Sequence, residues 1–225
     1  MNEQGSAGLK IRLGEQEVSS LLLRPAAASH LLVLGHGAGA GMRHPFLEAV
    51  SARLAGVGMA TLRYQFPYME GGSRRPDSKP VLLATVRAAV REAAARSDGL
   101  PLLAGGKSMG GRMTSSAEAE APFAGLHGLI FFGFPLHPAG RRSIERAAHL
   151  DAVRLPMLFL QGDRDRLADL DLLQSVCRRL GGRATLHVVA GADHGFHVLR
   201  SSGRTDAQVQ DELARAVASW LRDLS

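Results

Sequence analysis

What most limits the fold of this chain is an alternation. Apolar runs of strand length, HLLVLG, MATLRYQF, PLLAGG, GLIFFGF, PMLFLQG and ATLHVVAG, are separated by longer segments whose apolar residues recur with helical period. Parallel strands need a long crossover, and a helix supplies it, so the alternation predicts a mostly parallel sheet with helices on both faces. GLIFFGF and PMLFLQG are almost wholly apolar, as strands covered on both faces must be. The helical segments carry stripes that fit such a cover: Phe46, Val50 and Leu54; then Leu82, Val86, Val90 and Ala93; and finally Val209, Leu213, Ala216, Trp220 and Leu224.

The N-terminus departs from this rhythm. LKIRL and EVSSLLLRP flank Gly14-Glu15-Gln16 and read as a hairpin, so the sheet is expected to begin with antiparallel strands. The stretch FPYMEGGSRRPDS reads as a long polar loop that ends at Ser78, an N-cap for a helix with Pro80 in its first turn. With 225 residues and no low-complexity linker, one domain spanning 1–225 is expected.

Composition narrows the function classes. The opening MNEQGSAGLKIR has no apolar leader core, and LIFF and LLVL are far too short to span a bilayer, so a cytoplasmic protein with no membrane partner is expected. A single cysteine, Cys177, excludes an intramolecular disulfide; set in the helical stretch LLQSVCRRL, it reads as an inert buried thiol. Net charge is +6. The arginines are nonetheless scattered, in doublets such as Arg74-Arg75, Arg141-Arg142 and Arg178-Arg179, without interleaved aromatics, so a solvated basic surface is favoured over a nucleic-acid partner. Nothing in the pattern sets an oligomeric state.

The stretch LAGGKSMGGRM, residues 103–113, carries the chemistry. As a phosphate loop it fails on spacing, because Pro101 stands where the first glycine of G-x-x-x-x-G-K-S belongs and the intervening residues read as strand. As a G-x-S-x-G turn it fits: a strand reverses into a helix and exposes Ser108, with Gly106 and Gly110 removing side chains that would collide and Gly111 allowing close helix packing. An alcohol nucleophile needs an imidazole to take its proton and an acid to orient that imidazole. Both follow in the order Ser, acid, His: Gly162-Asp163-Arg164-Asp165 after one strand, and Gly191-Ala192-Asp193-His194 after the last. Asp163 and Asp165 compete for the acid. The oxyanion donors expected are the backbone N–H groups of Met109 and of Ala38 in the turn HGAGAG.

HGAGAGM, TLRYQFPY, GGKSMGGRM, IFFGFPLHPAG, LQGDRD and GADHGF together resemble the α/β-hydrolase superfamily over nearly the whole chain. More narrowly they resemble its small dienelactone-hydrolase-like branch, which also holds the NSL chromatin-complex subunit and a testis-expressed relative. The resemblance implies an α/β-hydrolase fold whose eight-stranded sheet has an antiparallel second strand, and a triad of Ser108, Asp165 and His194. Its G-x-x-D spacing selects Asp165, leaving Asp163 to hold the loop. Dienelactone hydrolases use cysteine where this chain has Ser108, which argues against a dienelactone substrate.

Several neighbouring residues have structural readings. His197 reads as structural and not as half of a metal pair, His36 as fixing its own turn, and Asp193 as tying down the loop of His194. Asp169 and Asp171 suit the start of a helix. Lys107 is expected to point away from the serine into a helix-to-sheet or surface contact. Tyr64, Phe66 and Tyr68 are expected to wall the acyl pocket, with core packing an equal alternative for Phe66; Arg74 and Arg75 read either as drawing in an anionic substrate or as part of a merely solvated loop. Between Leu136 and Leu155 there is room for one short helix, RRSIERAAHL, and no large lid. The reading that results is a serine hydrolase of small acyl esters, needing neither metal nor organic cofactor. The competing reading is a catalytically silent α/β-hydrolase fold used for binding or assembly.

Overall fold

A computed structural model describes residues 5–224. Residues 1–4, which begin the stretch read as lacking a leader, and residue 225 lie outside the described residues. Eight strands form one sheet in the order β1-β2-β4-β3-β5-β6-β7-β8. They are β1 (Ser6–Leu13), β2 (Gln16–Leu23), β3 (His30–Gly35), β4 (Met59–Tyr64), β5 (Leu102–Lys107), β6 (Leu126–Phe132), β7 (Met157–Gly162) and β8 (Ala184–Val189). β2 runs antiparallel to both β1 and β4, and the remaining pairs are parallel. The N-terminal hairpin closes at Leu13 and Gln16, which face each other across Gly14-Glu15.

Helices cover both faces: α1 (Pro45–Gly56), α2 (Pro67–Glu70), α3 (Lys79–Ala95), α4 (Met109–Glu120), α5 (Leu170–Leu180) and α6 (Asp206–Asp223). Because strand side chains alternate in direction, each central strand feeds two separate cores. Leu31 and Val33 of β3, Leu129 and Phe131 of β6, and Met157 and Phe159 of β7 pack toward α3, α4 and α5. Their neighbours Leu32, Leu34, Ile130, Phe132, Leu158 and Leu160 pack toward α1 and α6. This two-sided demand explains the unbroken apolar runs in the sequence.

Helix ends follow local chemistry. Asp169 caps α5 by accepting the Leu172 N–H, with Asp171 in its first turn. Thr205 and Gln208 form a reciprocal capping box on α6. Ser78 occupies the N-cap of α3 without a side-chain hydrogen bond, and Pro80 sits in the first turn. Two expectations fail in detail. The polar stretch after β4 contains a helical turn, α2, started by Pro67, whose ring presets the backbone for a first helical position. At the end of α6, Leu224 is exposed at 37%, and Ala214 and Val217 complete the buried stripe instead. The cause is position: Leu224 is the C-cap residue, one place beyond the end of α6 at Asp223, while the buried face of the helix is wider than a single stripe.

Candidate active site

The C-terminal ends of β3, β5, β7 and β8 all open toward one edge of the sheet, where open α/β sheets hold their sites. β5 and α4 meet at Ser108, whose backbone takes φ 51 and ψ −115. A non-glycine residue in that region is strained by about 1–3 kcal/mol, and packing on both sides holds it there. Its N–H donates to Phe132 O of β6 at 3.2 Å, and its carbonyl accepts the Arg112 N–H at 3.1 Å. The flanking glycines are needed for close approach: a Cβ on Gly106 would drive into the Gly35 carbonyl, one on Gly110 would meet the same carbonyl, and one on Gly111 would come within 2.8 Å of Gly106 O.

His194 lies in the loop after β8, and its Nε2 is 2.9 Å from Ser108 Oγ. Its Nδ1 is 2.6 Å from Asp165 Oδ2. A proton on Nδ1 facing the carboxylate leaves Nε2 free to accept from the serine hydroxyl. The Asp165 side chain is fully buried, while that of His194 keeps 25% exposure. Burial of a carboxylate demands compensating donors. Asp165 has three: His194, the Leu167 N–H at 2.7 Å on Oδ1, and Gln161 Nε2 at 2.5 Å on Oδ2. Gln161 in turn accepts the Phe134 N–H at 2.9 Å. Sequence reasoning passed over Gln161, although a lone amide at the end of the apolar strand MLFLQG was the signal available.

Asp163 faces elsewhere, accepting the Gly191 N–H at 2.8 Å. It thereby ties the loop after β7 to the loop after β8. Asp193 accepts the N–H groups of Gly195 and His197 at 2.8 and 3.0 Å, shaping the turn that presents His194. His197 turns outward to Asp206, with Nδ1 2.6 Å from Oδ2. Phe196 adopts φ 63 and stacks on Phe46 at 5.4 Å between ring centroids. That contact anchors the turn from its apolar side.

The loop after β3 closes the site from the opposite edge. His36 is fully buried; its Nδ1 donates to Gly37 O at 2.7 Å, and its Nε2 accepts the Phe66 N–H at 3.1 Å. Burial, which outweighs the favourable bond to Gly37, depresses its pKa to about 4 and keeps the ring neutral. Gly37 comes close to Ser108, since a Cβ there would be 3.7 Å from the serine Cβ. Ala38 and Met109 line the same cavity as Ser108, and Met109, as the first residue of α4, has no intrahelical partner for its N–H.

That cavity, of about 460 Å³, is walled by Leu82, Met109, Met113, Pro135 and Leu167. The β6–β7 connection above it carries a single 3₁₀ helix, Glu145–Ala152, where a lid would otherwise be inserted. A second depression of about 470 Å³ lies between the β1–β2 turn and α3 and touches none of Ser108, Asp165 or His194. The expected aromatic wall is absent from the cavity. Tyr64 and Phe66 are fully buried in the core beneath α3 and α4, and Tyr68 reaches the site only through its hydroxyl, which accepts the Gly39 N–H at 3.1 Å. β4 ends one strand away from β5, behind the loop of His36, so residues following it pack under that loop. Arg74 and Arg75 are exposed outside the cavity, in keeping with the solvated-loop reading; the basic groups lining the cavity are Lys79, Arg112 and Arg146.

Lys107 departs furthest from expectation. Its ammonium turns inward and donates to the backbone carbonyl of His194 at 2.5 Å. It lies 5.9 Å from the Phe46 ring centre and 5.5 Å from that of Phe196. Burial lowers its pKa to about 8, against the opposing pull of Asp165 and Asp193. Cys177 is buried as expected, and the loss of solvent pushes its thiol up to about 11.

The chain belongs to the α/β-hydrolase family: residues 28–222 match the family described as Alpha/beta hydrolase domain. Solved structures share the fold from end to end. A dienelactone hydrolase from Anabaena variabilis superposes with a TM-score of 0.75 at 19% identity, covering 97% of each chain. An α/β serine hydrolase homologue from Coxiella burnetii gives 0.76 at 18% identity, covering 96% of this chain and 99% of its own. A member of the α/β serine hydrolases without lid, from Xanthomonas campestris, gives 0.74 at 20% identity, over 98% of this chain and 97% of its own. Among the described residues, no helix is long and apolar enough to cross a membrane.

Proposed function

We propose that this protein is a serine hydrolase that cleaves small acyl esters through a covalent acyl-enzyme. The observation that carries the reading is the unbroken relay from Ser108 Oγ to His194 Nε2 at 2.9 Å and from His194 Nδ1 to Asp165 Oδ2 at 2.6 Å. His194 removes the hydroxyl proton as Ser108 attacks the ester carbonyl, and the imidazolium that forms is stabilised by Asp165. The N–H groups of Met109 and Ala38 receive the oxyanion. Collapse of the tetrahedral intermediate breaks the ester bond, and His194 returns its proton to the departing alcohol. Water, deprotonated by the same imidazole, then releases the acid and restores the serine. No metal or organic cofactor enters this scheme.

The substrate range follows from the shape of the site. A cavity of about 460 Å³ without an inserted lid suits short or exposed acyl groups better than long lipid chains. The six motifs quoted above, together with the likeness to the Anabaena dienelactone hydrolase, support membership of the dienelactone-hydrolase-like branch with serine in place of cysteine. A fluorophosphonate probe tests the reading directly. Covalent labelling that disappears in Ser108→Ala, together with turnover of a p-nitrophenyl ester series, is the expected result. A folded protein whose serine takes no label, and which turns over no ester, would instead be a silent binding or assembly module.

A further inference from the structure

The cavity beside Ser108 presents four ionisable side chains: Asp77, Lys79, Arg112 and Arg146. Two of them are already engaged. Lys79 Nζ donates to Glu120 Oε1 at 2.9 Å, and Asp77 Oδ2 accepts the Tyr68 N–H at 2.9 Å. The guanidinium groups of Arg112 and Arg146 have neither a hydrogen-bond nor an ion-pair partner among the described residues, and Arg112 Nε is buried as well. Two like charges in one cavity repel, and a buried donor without an acceptor has lost its water for nothing in return. Burial first, and the charge of Arg146 second, hold the Arg112 pKa below its usual value. Such an arrangement is uncomfortable in the free protein and favourable once an anion enters.

Geometry limits where that anion lies. Arg112 is one turn beyond Ser108, its N–H bonded to the serine carbonyl at 3.1 Å. At 1.5 Å of rise per residue the two backbones lie about 6 Å apart along the helix, and both side chains open on the one cavity, so an anion held by the guanidinium lies within a short acyl chain of the serine. Met109, Met113 and Leu167, which line the same cavity, are apolar and suit the methylenes of such a chain. A guanidinium meets a carboxylate through two parallel N–H donors, which fixes orientation as well as charge.

We propose that Arg112 and Arg146 form a subsite for a carboxylate at the far end of the acyl chain, so that the preferred substrates are monoesters of short dicarboxylic acids. The placement of the ester carbonyl rests on the hydrolase reading above; the anion site itself does not. Asp77, the one carboxylate lining the cavity, keeps its Oδ2 on the Tyr68 N–H and away from the arginines.

The test compares mono-p-nitrophenyl adipate with p-nitrophenyl hexanoate, which share chain length and leaving group and differ in the terminal carboxylate. The wild-type protein is expected to favour the adipate in kcat/KM by at least about tenfold, and Arg112→Gln and Arg146→Gln each to bring that ratio down severalfold, with Arg112→Lys retaining part of it. A ratio taken within each variant is independent of how much of that variant is folded. Wild-type protein that hydrolyses both esters alike overturns the subsite and leaves the hydrolase reading intact. Ser108→Ala protein supplies the other arm, through calorimetric binding of monomethyl adipate against methyl hexanoate. Preferential binding of the monoester there, beside a wild type that turns over neither ester, overturns the hydrolase reading and keeps the subsite.

Discussion

Lys107 and His194 are joined through the lysine ammonium and the histidine's own backbone carbonyl, 2.5 Å apart, across the gap between β5 and the loop after β8. The residue that precedes Ser108 in sequence thus holds the segment that carries its imidazole partner. Around the ammonium stand Asp165, Asp193 and His44, together with the faces of Phe46 and Phe196. The lysine touches neither the serine hydroxyl nor the imidazole ring nitrogens, so its role is to position His194.

Replacing Lys107 with Met keeps the length and apolar contacts of the side chain and removes the donor. Displacements of an ångström at a reacting group cost up to about a hundredfold in rate. Lys107→Met is therefore expected to lower kcat on a p-nitrophenyl ester by about 10- to 100-fold with little change in KM. Steady-state kinetics check this, and an unaltered kcat would show that the loop holds His194 without the lysine.

The same group has a signature in stability. Its folded pKa of about 8 lies below the ordinary 10.5, so the folded state disfavours the charged form. Below pH 8 that penalty is present in full; between about 8 and 10.5 the native protein sheds a proton that the unfolded chain still holds, and stability rises with pH. Across that window, wild type should gain on Lys107→Met by up to roughly 3 kcal/mol, since each pKa unit corresponds to about 1.4 kcal/mol. Urea unfolding of both proteins at pH 7.5 and 10.5 measures the difference, and parallel curves would contradict it.

The central part of the site was legible because its spacing is local. The G-x-S-x-G turn, the G-x-x-D after β7 and the His194 loop after β8 each declare themselves within a few residues of a strand end. The structure brings their side chains within hydrogen-bond distance. Tyr64 and Tyr68 misled because strand order cannot be read from chain order: β4 sits outside β3, so its C-terminal residues pack under the loop of His36, and Phe66 takes the core-packing reading of its two. Lys107 misled for a different reason. A lysine at a strand end is usually solvated, and only the arrival of Phe46 and Phe196 from distant segments encloses this one. Arg112 was within reach, since its position four residues after Ser108 places it on the same face of a helix. Arg146 carried no such signal, because its position depends on the path of the β6–β7 connection.

Gln161 secures the acid from below. It donates to Asp165 and accepts from Phe134 N–H while fully buried, so Gln161→Leu leaves one carboxylate oxygen and one amide short of a partner. Each loss of that kind costs about 1–3 kcal/mol. We expect destabilisation of roughly 2–4 kcal/mol in urea melts, allowing for partial relaxation. Ester turnover per folded molecule should fall as Asp165 loses its orientation. Full retention of turnover would show that His194 and the Leu167 N–H suffice to hold the carboxylate.

His36 makes the loop that carries Ala38 sensitive to acid. Its Nε2 accepts the Phe66 N–H, so protonation would set two donors face to face inside the core. With the folded pKa depressed to about 4 from 6.5, the stabilising contribution of the neutral ring is complete above pH 6.5. As the pH falls from 6.5 toward 4 the unfolded chain takes up a proton that the folded chain refuses, and the contribution is lost, up to roughly 3 kcal/mol. His149, also depressed to about 4, chiefly by burial and then by Arg112 and Lys79, adds a loss in the same direction. Comparison with His36→Asn isolates the first effect, since His149 is common to both proteins. The stability advantage of wild type over this variant should shrink steadily from pH 7 to pH 4 and then level off. If that advantage stayed constant across the range, His36 could not be the neutral, acid-labile brace that its two hydrogen bonds describe.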